Sequence, residues 1–175
     1  MTDEVREARE AFEDHDAYRA DDGEYVLETT AFDGRVTAER ADADWASRYA
    51  LVVRAPALQS AVEETVGPNL REGWFETYEL RLEDAPGAVR DRVDLEELDV
   101  REEGCDAVAE FVFESGNADR APGIAKAIAE YVEGTYVEGV VPGFTYREPV
   151  AGLLSRAKQS GGDEGAADGS GPMPL

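Results

Sequence analysis

Apolar residues recur along this chain at two spacings, one of three to four residues and one of two residues. Val5, Ala8 and Phe12 show the longer spacing behind an acidic first turn, which predicts a helix over residues 3–13. Residues 48–54 are rich in β-branched and aromatic side chains and predict a strand. We therefore expect helices and strands in the same chain.

The dipeptide Asp33-Gly34 separates two alternating runs, residues 25–30 and residues 35–39. Asp-Gly suits a type I′ turn, in which both central residues need a positive φ. The sequence therefore predicts a β-hairpin with its turn at Asp33-Gly34. The polar segments 14–16 and 21–23 are assigned to the loop before this hairpin.

Two helices are expected after the strand at residues 48–54. The first is predicted over residues 56–66, because Pro56 suits a first helical position and Gly67-Pro68 is a typical stop. The second is predicted over residues 69–85, although the same residues alternate in a way that also fits a strand. The apolar face of this segment, which we expect to be core, consists of Leu70, Trp74, Phe75, Tyr78 and Leu82.

The second half of the chain repeats the order of strands and then helices. Residues 89–101 contain an extended segment, Glu103-Gly104 turns the chain, and residues 107–114 predict a strand with Phe111 and Phe113 on one face. Asn117 or Asp119 caps a long helix. Its inward residues are Ile124, Ile128, Tyr131, Val132 and Thr135.

These elements follow the order α-β-β-β-α(α)-β-β-α, with a last short helix from Pro149 to Lys158. Sequential strands joined by short turns pair antiparallel, so we predict an α+β fold with a sheet of about five strands covered by helices on one face. Residues 1–158 form the single predicted domain, and the Gly/Ser/Asp-rich residues 159–175 are expected to be a disordered tail.

The charge of the chain indicates the solvent in which it works. Forty Asp and Glu residues face 17 Lys and Arg, a formal net charge of −23. Such a surface is typical of salt adaptation, so we expect a cytoplasmic haloarchaeal protein with abundant loosely bound cations and water. The scarcity of Lys and Arg argues against nucleic-acid binding. A massed acidic face could instead mimic nucleic acid, but the acids are spread along the chain.

Motifs for catalysis or cofactor binding are weak. His15 is the sole histidine, with no G-x-S-x-G nucleophile elsewhere, and Cys105 lies among acids that disfavour a thiolate. One His and one Cys are too few for zinc, and the segment 139–145 lacks the lysine of a P-loop. We expect no catalytic, cofactor-binding or metal-binding residues, and non-enzymatic function is favoured. No apolar run reaches the roughly 18 residues of a membrane helix, so no membrane partner is expected.

Three stretches carry a resemblance to a known family: residues 32–36, residues 73–85 and residues 133–150. Together they resemble an uncharacterised haloarchaeal family of small acidic proteins, a domain of unknown function, over residues 1 to about 160. The resemblance implies a haloarchaeal source and carries over no site residue. The element order also resembles the type III secretion chaperone-like topology, whose members are mostly dimeric protein-binding modules.

The segment from Tyr136 to Arg147 is the candidate interaction site, because a loop with this apolar content either folds over the core or offers a patch to a partner. Its candidate residues are Tyr136, Val140, Val141, Phe144, Tyr146 and Arg147. We therefore predict a non-catalytic adaptor or chaperone-like module that binds a protein partner or forms a homodimer. The alternative is a small-ligand-binding or enzymatic domain, with a pocket between sheet and helices lined by Trp74, Tyr78, Tyr131 and Arg147.

Overall fold

The structure, a computed structural model, describes residues 3–90 and 92–168, and among them the side chains up to residue 159. Its centre is a six-stranded antiparallel sheet with the strand order β1-β2-β3-β4-β6-β5. The strands are β1 (Tyr18–Asp21), β2 (Glu24–Leu27), β3 (Asp33–Arg40), β4 (Ser47–Pro56), β5 (Leu95–Glu103) and β6 (Asp106–Ser115). The predicted α+β class with an antiparallel sheet is confirmed.

The sheet has one strand more than predicted. Strand β1 was missed because Tyr18 is its only buried residue, so four residues show no alternation that a sequence pattern could detect.

The prediction of a hairpin turn at Asp33-Gly34 is wrong, and the tight turn lies at the other Asp-Gly pair. Asp22 and Gly23 have φ values of 49° and 85° and form the tight turn between β1 and β2. Asp33 and Gly34 instead lie inside β3, where Gly34 pairs with Leu27 of β2. The β2–β3 pairing exists, but its connection is residues 28–32.

Helices pack on one side of the sheet. They are α1 (Asp3–Asp14), α2 (Leu58–Ala61), α3 (Pro68–Leu82), α4 (Ala121–Glu138) and α5 (Val150–Asp168). Short 3-10 turns at Ala85–Ala88 and Ala118–Arg120 join them to the strands. None of the helices within the described ranges combines the length and apolar content needed to cross a membrane.

Three helix predictions now have outcomes. Residues 68–82 are helical, which settles the choice between helix and strand for that segment. The helix predicted over residues 56–66 is wrong in extent, because Pro56 ends β4 and Val62 leaves the short α2 to pair with Tyr146. Helix α5 continues past Lys158 to Asp168, while residues 169–175 of the predicted tail lie outside the described residues.

The inner face of the sheet is aromatic and aliphatic. Along β4 every second residue is buried, and Tyr49 stacks on Phe113 of β6 with ring centroids 5.2 Å apart. Phe12 of α1 contacts Tyr18 and Tyr25, with centroids 4.8 and 5.2 Å away. These contacts fix α1 against the first three strands and form one end of the core.

Helix α4 is tied to the rest of the core by one buried and two partly buried hydrogen bonds. The Tyr18 hydroxyl donates to the carbonyl of Pro122 at 2.6 Å, and the Tyr136 hydroxyl donates to the carbonyl of Pro56 at 2.6 Å. Between them, a Glu133 carboxylate oxygen accepts the backbone N–H of Ala31 at 2.6 Å. The position of α4 over the sheet is therefore fixed along its length, which sets how closely it approaches α3.

Candidate functional site

Helices α3 and α4 enclose a cavity of about 300 Å³ at the edge of the helical layer. Its wall is an aromatic cluster that both helices supply. Trp74 and Tyr78 lie one helical turn apart on α3 and stack with centroids 5.1 Å apart. Tyr136 of α4 meets the Trp74 ring edge-on at 5.4 Å. Val140 and Val141, which follow α4, close the apolar part of the cavity.

Several polar groups that line this cavity have no hydrogen-bond partner among the described residues. These groups are the Trp74 indole N–H, the Thr135 hydroxyl and the Arg81 guanidinium. The Tyr78 hydroxyl is buried and also lacks a partner. Of these four groups only the Tyr78 hydroxyl is fully buried, and a buried hydroxyl without a partner is uncommon in native proteins.

Gly139 leaves room beside the indole nitrogen. A Cβ atom at this position would lie 3.6 Å from Trp74 Nε1, in ordinary van der Waals contact. With glycine there, that side of the indole N–H stays uncovered. The closest approach of α4 to α3 therefore combines an open donor with an aromatic wall.

Burial governs the titration of the phenols in the wall. It raises the pKa of Tyr78 and of Tyr136 well above the ordinary range, so both phenols are protonated at any physiological pH. The charges at the cavity come instead from Arg81, which is half-buried, and from Glu138, which is exposed. Neither forms an ion pair within the described part of the chain.

The predicted interaction residues are divided between core and surface. Tyr136 is 1% exposed and belongs to the core, while Val140 and Val141 line the cavity. Phe144 and Tyr146 are half-buried and pack against the core. Arg147 is exposed, and its Nε donates to the carbonyl of Val62 at 3.3 Å.

The segment that carries these residues is fastened to the chain that follows α2. Val62 and Tyr146 form an isolated antiparallel bridge, and the Arg147 N–H donates to the Ala61 carbonyl at 2.7 Å. The Glu64 carboxylate accepts both the backbone N–H and the hydroxyl of Thr145, each at 2.8 Å. These hydrogen bonds lower the pKa of Glu64. Most of the loop is thus folded over the core, the first of the two arrangements the sequence allowed.

The residues predicted for a ligand pocket are only partly brought together. Trp74 and Tyr78 line the cavity, whereas the Tyr131 hydroxyl donates to the Arg81 carbonyl at 2.9 Å and Arg147 lies over α2. The cavity lies between two helices rather than between sheet and helices. Sequence reasoning missed Arg81, although it lies at helical spacing from Trp74 and Tyr78 on the same face of α3.

His15 and Cys105 lie away from the cavity. The His15 Nδ1 accepts the N–H of Ala17 at 3.2 Å, which places it in the turn after α1. Cys105 is exposed in the β5–β6 turn, and its carbonyl accepts the N–H of Ala57 at 3.0 Å. In the part of the chain that the structure describes, no group of three or more His, Cys, Asp or Glu side chains is arranged to hold a metal ion.

Comparison with known proteins places the chain at the level of family. No curated protein and no solved structure matches it, so the likeness to secretion chaperones stays a prediction from element order. One family, described as "Family of unknown function (DUF5813)", matches residues 13–156, a span that contains β1 to β6, α2 to α4 and the whole cavity. The chain therefore belongs to the DUF5813 family.

Proposed function

We propose that this protein is a small-ligand-binding domain whose site is the cavity between α3 and α4. One observation carries the proposal: Trp74, Thr135 and Arg81, whose donors have no partner among the described residues, line the same aromatic-walled cavity. Ligand sites combine an apolar lining with a few such polar groups, and typical volumes begin at about 300 Å³. The cavity thus suits a small organic molecule rather than a large cofactor.

The cavity can be blocked without disturbing the core. Gly73 lies on α3, lines the cavity, and a Cβ built on it meets nothing within 4 Å. Gly73→Leu places a side chain at the cavity and replaces a poor helix former with a good one. Gly134 of α4 has the same open surroundings but does not line the cavity, so Gly134→Leu is the matched control.

Trp74 supplies the signal for the experiment. The chain has two tryptophans, and Trp45 is 71% exposed in the β3–β4 loop, so Trp45→Phe leaves Trp74 as the sole tryptophan. We expect members of a library of small aromatic and branched aliphatic compounds to change Trp74 fluorescence. The response should be lost in Gly73→Leu and kept in Gly134→Leu. If no compound changes the fluorescence, or if Gly73→Leu responds like the parent, the proposal is wrong.

A second candidate is a protein-interaction module that forms a homodimer through α3. It is favoured by two exposed leucines on that helix, Leu80 at 65% and Leu70 at 39% exposure. Sedimentation in multimolar KCl tests it. We expect a dimer for the parent and for Trp45→Ser, which removes an exposed apolar residue elsewhere, and a monomer for Leu80→Ser. A parent that is monomeric at all concentrations contradicts this candidate.

We propose further that the protein works in the cytoplasm of a haloarchaeon. The net charge of −23 supports this, because carboxylate repulsion that destabilises the fold in dilute buffer is screened by concentrated salt. The midpoint of thermal unfolding should therefore rise steeply between millimolar and multimolar KCl. A midpoint that does not depend on salt would contradict salt adaptation.

A further inference from the structure

We propose that the ligand of the α3/α4 cavity is a small monocarboxylate with an aromatic or branched aliphatic body, bound through its carboxylate to Arg81. This inference rests on the proposed function, because it names the chemical class that the same cavity takes. Three features of the molecule support it: the pairing of its charges, the donor character of the groups at the cavity, and the order of these groups along the two helices.

The ion pairing of Arg81 differs from that of the arginines on the sheet. Arg35 pairs with Asp21, Glu24 and Asp33 at 3.1 to 3.2 Å, and Arg48 contacts three glutamates at 3.5 to 3.9 Å. Arg81 is half-buried and has no ion pair with any described residue. Of the others without one, Arg90 and Arg147 are exposed to water, and Arg9 of α1 is half-buried but does not line this cavity. In a chain with 40 acidic residues, a half-buried guanidinium at a cavity is open to an anion from outside.

The backbone of Arg81 is fixed in place. The Tyr131 hydroxyl donates to its carbonyl at 2.9 Å and so joins the last turn of α3 to α4. Side chains on a helix lean towards its N-terminus, which directs the guanidinium back along α3 towards Thr77 and Tyr78. The charged group is thereby directed towards one end of the cavity.

The available hydrogen-bonding groups favour an acceptor. A guanidinium and an indole N–H can only donate, and the Thr135 hydroxyl can donate as well. A carboxylate accepts from several donors at once, and its bonds to arginine are charge-assisted. An amine would be repelled by Arg81, and Glu138, the one carboxylate among the lining residues, is exposed to water.

The two ends of the cavity have different character. Tyr131 contacts Arg81, and Gly139 lies beside Trp74, so the two helices run past each other with Thr135 between these contacts. Glu138 belongs to the Trp74 end, away from Arg81. A carboxylate is thus attracted to one end, while the apolar body lies against Trp74 and Val140. A second negative charge on the ligand would lie near Glu138, which disfavours dicarboxylates.

The test uses three probes that share a body and differ in charge: 3-phenylpropionate, its neutral amide and 3-phenylpropylamine. Binding is followed by Trp74 fluorescence in the Trp45→Phe protein at neutral pH and fixed ionic strength. We expect the carboxylate to bind about tenfold more tightly than the amide, because a charge-assisted bond replaces a neutral one. The amine should bind most weakly.

Three variants assign the preference to its residues. Arg81→Gln should remove the difference between carboxylate and amide, and Arg81→Lys should restore part of it. Glu138→Gln should leave binding of the carboxylate equal or tighter. Circular dichroism of each variant checks that the fold is kept.

Each outcome separates this inference from the proposed function. Equal binding of carboxylate and amide, tighter binding of the amine, or a preference that survives in Arg81→Gln would overturn the carboxylate class while the cavity remains a ligand site. A further outcome is that none of the three probes binds while other library compounds do, with their fluorescence response lost in Gly73→Leu. In that case the carboxylate class is again wrong, and the cavity remains a ligand site. If no compound binds at all, both proposals fall.

Discussion

The two faces of the central sheet are built from the same strands, but one is covered by helices and the other carries exposed ion pairs. On β4, Tyr49 and Leu51 are fully buried under the helices, while Arg48 between β3 and β6 faces outward and contacts Glu39 and Glu114. Each buried large apolar side chain contributes about 1.5–3 kcal/mol, whereas an exposed ion pair contributes about 0–1 kcal/mol. The inner face therefore holds the fold together, and the outer face makes it compatible with its solvent.

The outer face is not purely ionic. Val108 and Val112 of β6 point outward, yet they are 0% and 3% exposed. Val108 lies between Arg54 and Arg101 of the neighbouring strands. The aliphatic stems of arginines can cover such residues while their charged ends reach acids. Salt screens the charged ends but strengthens the apolar contacts beneath them, so this face keeps part of its stability in a brine.

The largest expected effect comes from removing an inner aromatic residue. Phe111→Ala should lower the free energy of unfolding by about 3–5 kcal/mol, because Phe111 is fully buried and leaves a cavity. Urea denaturation at low and high KCl measures it, and the loss should be at least as large in high salt. A loss of under about 1 kcal/mol would mean that this face does not form the main core.

The comparison also depends on the turn between β1 and β2, which sets the register of this edge of the sheet. Gly23→Ala should cost about 1–2 kcal/mol, because its φ of 85° strains any residue with a Cβ. Gly34→Ala is the control: its Cβ would lie 3.7 Å from Leu27 in ordinary contact, and the stability should change by at most about 0.5 kcal/mol. The reverse result in thermal unfolding would place the turn at Asp33-Gly34.

A smaller effect is expected from the outer face. Arg48→Ala should cost about 0.5–1 kcal/mol in dilute buffer, and the loss should shrink as KCl is added, since its ion pairs are screened. Arg48→Met keeps most of the aliphatic stem and should retain more stability than alanine in high salt. If both variants lose the same amount at every salt concentration, the stem makes no contribution.

The smallest expected effect concerns two glutamates whose ionisation changes the stability of the fold in opposite directions. Arg101 and Arg54 lower the pKa of Glu103 on the outer face, whereas burial raises the pKa of Glu133 on α4. Glu103 therefore stabilises the fold above its unfolded pKa, and this contribution disappears as the pH falls through its folded pKa. For Glu133 the ionised form carries a burial penalty, which disappears as the pH falls below its folded pKa.

Matched glutamine variants show this difference in urea denaturation between pH 7 and pH 3. Near neutral pH, Glu103→Gln should be less stable than the parent and Glu133→Gln more stable, because its amide oxygen can still accept the Ala31 N–H. Both differences should diminish in acid. Parallel pH profiles for the two variants would contradict the assignment of these carboxylates to different environments.

The sequence correctly predicted the elements whose local spacing of apolar residues fits only one kind of secondary structure. Alternation along β6 placed Phe111 and Phe113 on one face, and both are fully buried. The helical spacing of Trp74 and Tyr78 correctly predicted two buried residues of α3. The same spacing also placed Leu70 in the core, but Leu70 is 39% exposed because only part of α3 meets the core.

The errors arose where a segment could adopt two local structures and contacts with residues distant in the chain decide which one forms. Two Asp-Gly pairs suit a type I′ turn equally well, and the pairing of Leu27 with Gly34 leaves only the first as a turn. Val62 has helical spacing from Leu58, yet its bridge to Tyr146 draws it out of α2. The cavity depends on how α4 approaches α3, which hydrogen bonds such as that from Tyr136 to Pro56 determine. Helical spacing places Arg81 on the same face as Trp74, but it does not show that α4 forms a cavity there.

The connection between β4 and β6 sets the order in which this protein can assemble. Residues 47–56 pair with residues 106–115, and α2, α3 and β5 lie between them in the chain. At roughly 5–20 residues per second, a ribosome needs several seconds to synthesise that interval. During this time β4 has one bare edge, and β5 has no strand to join. The complete sheet therefore has to wait for β6, which supplies a partner to both of its neighbours at once.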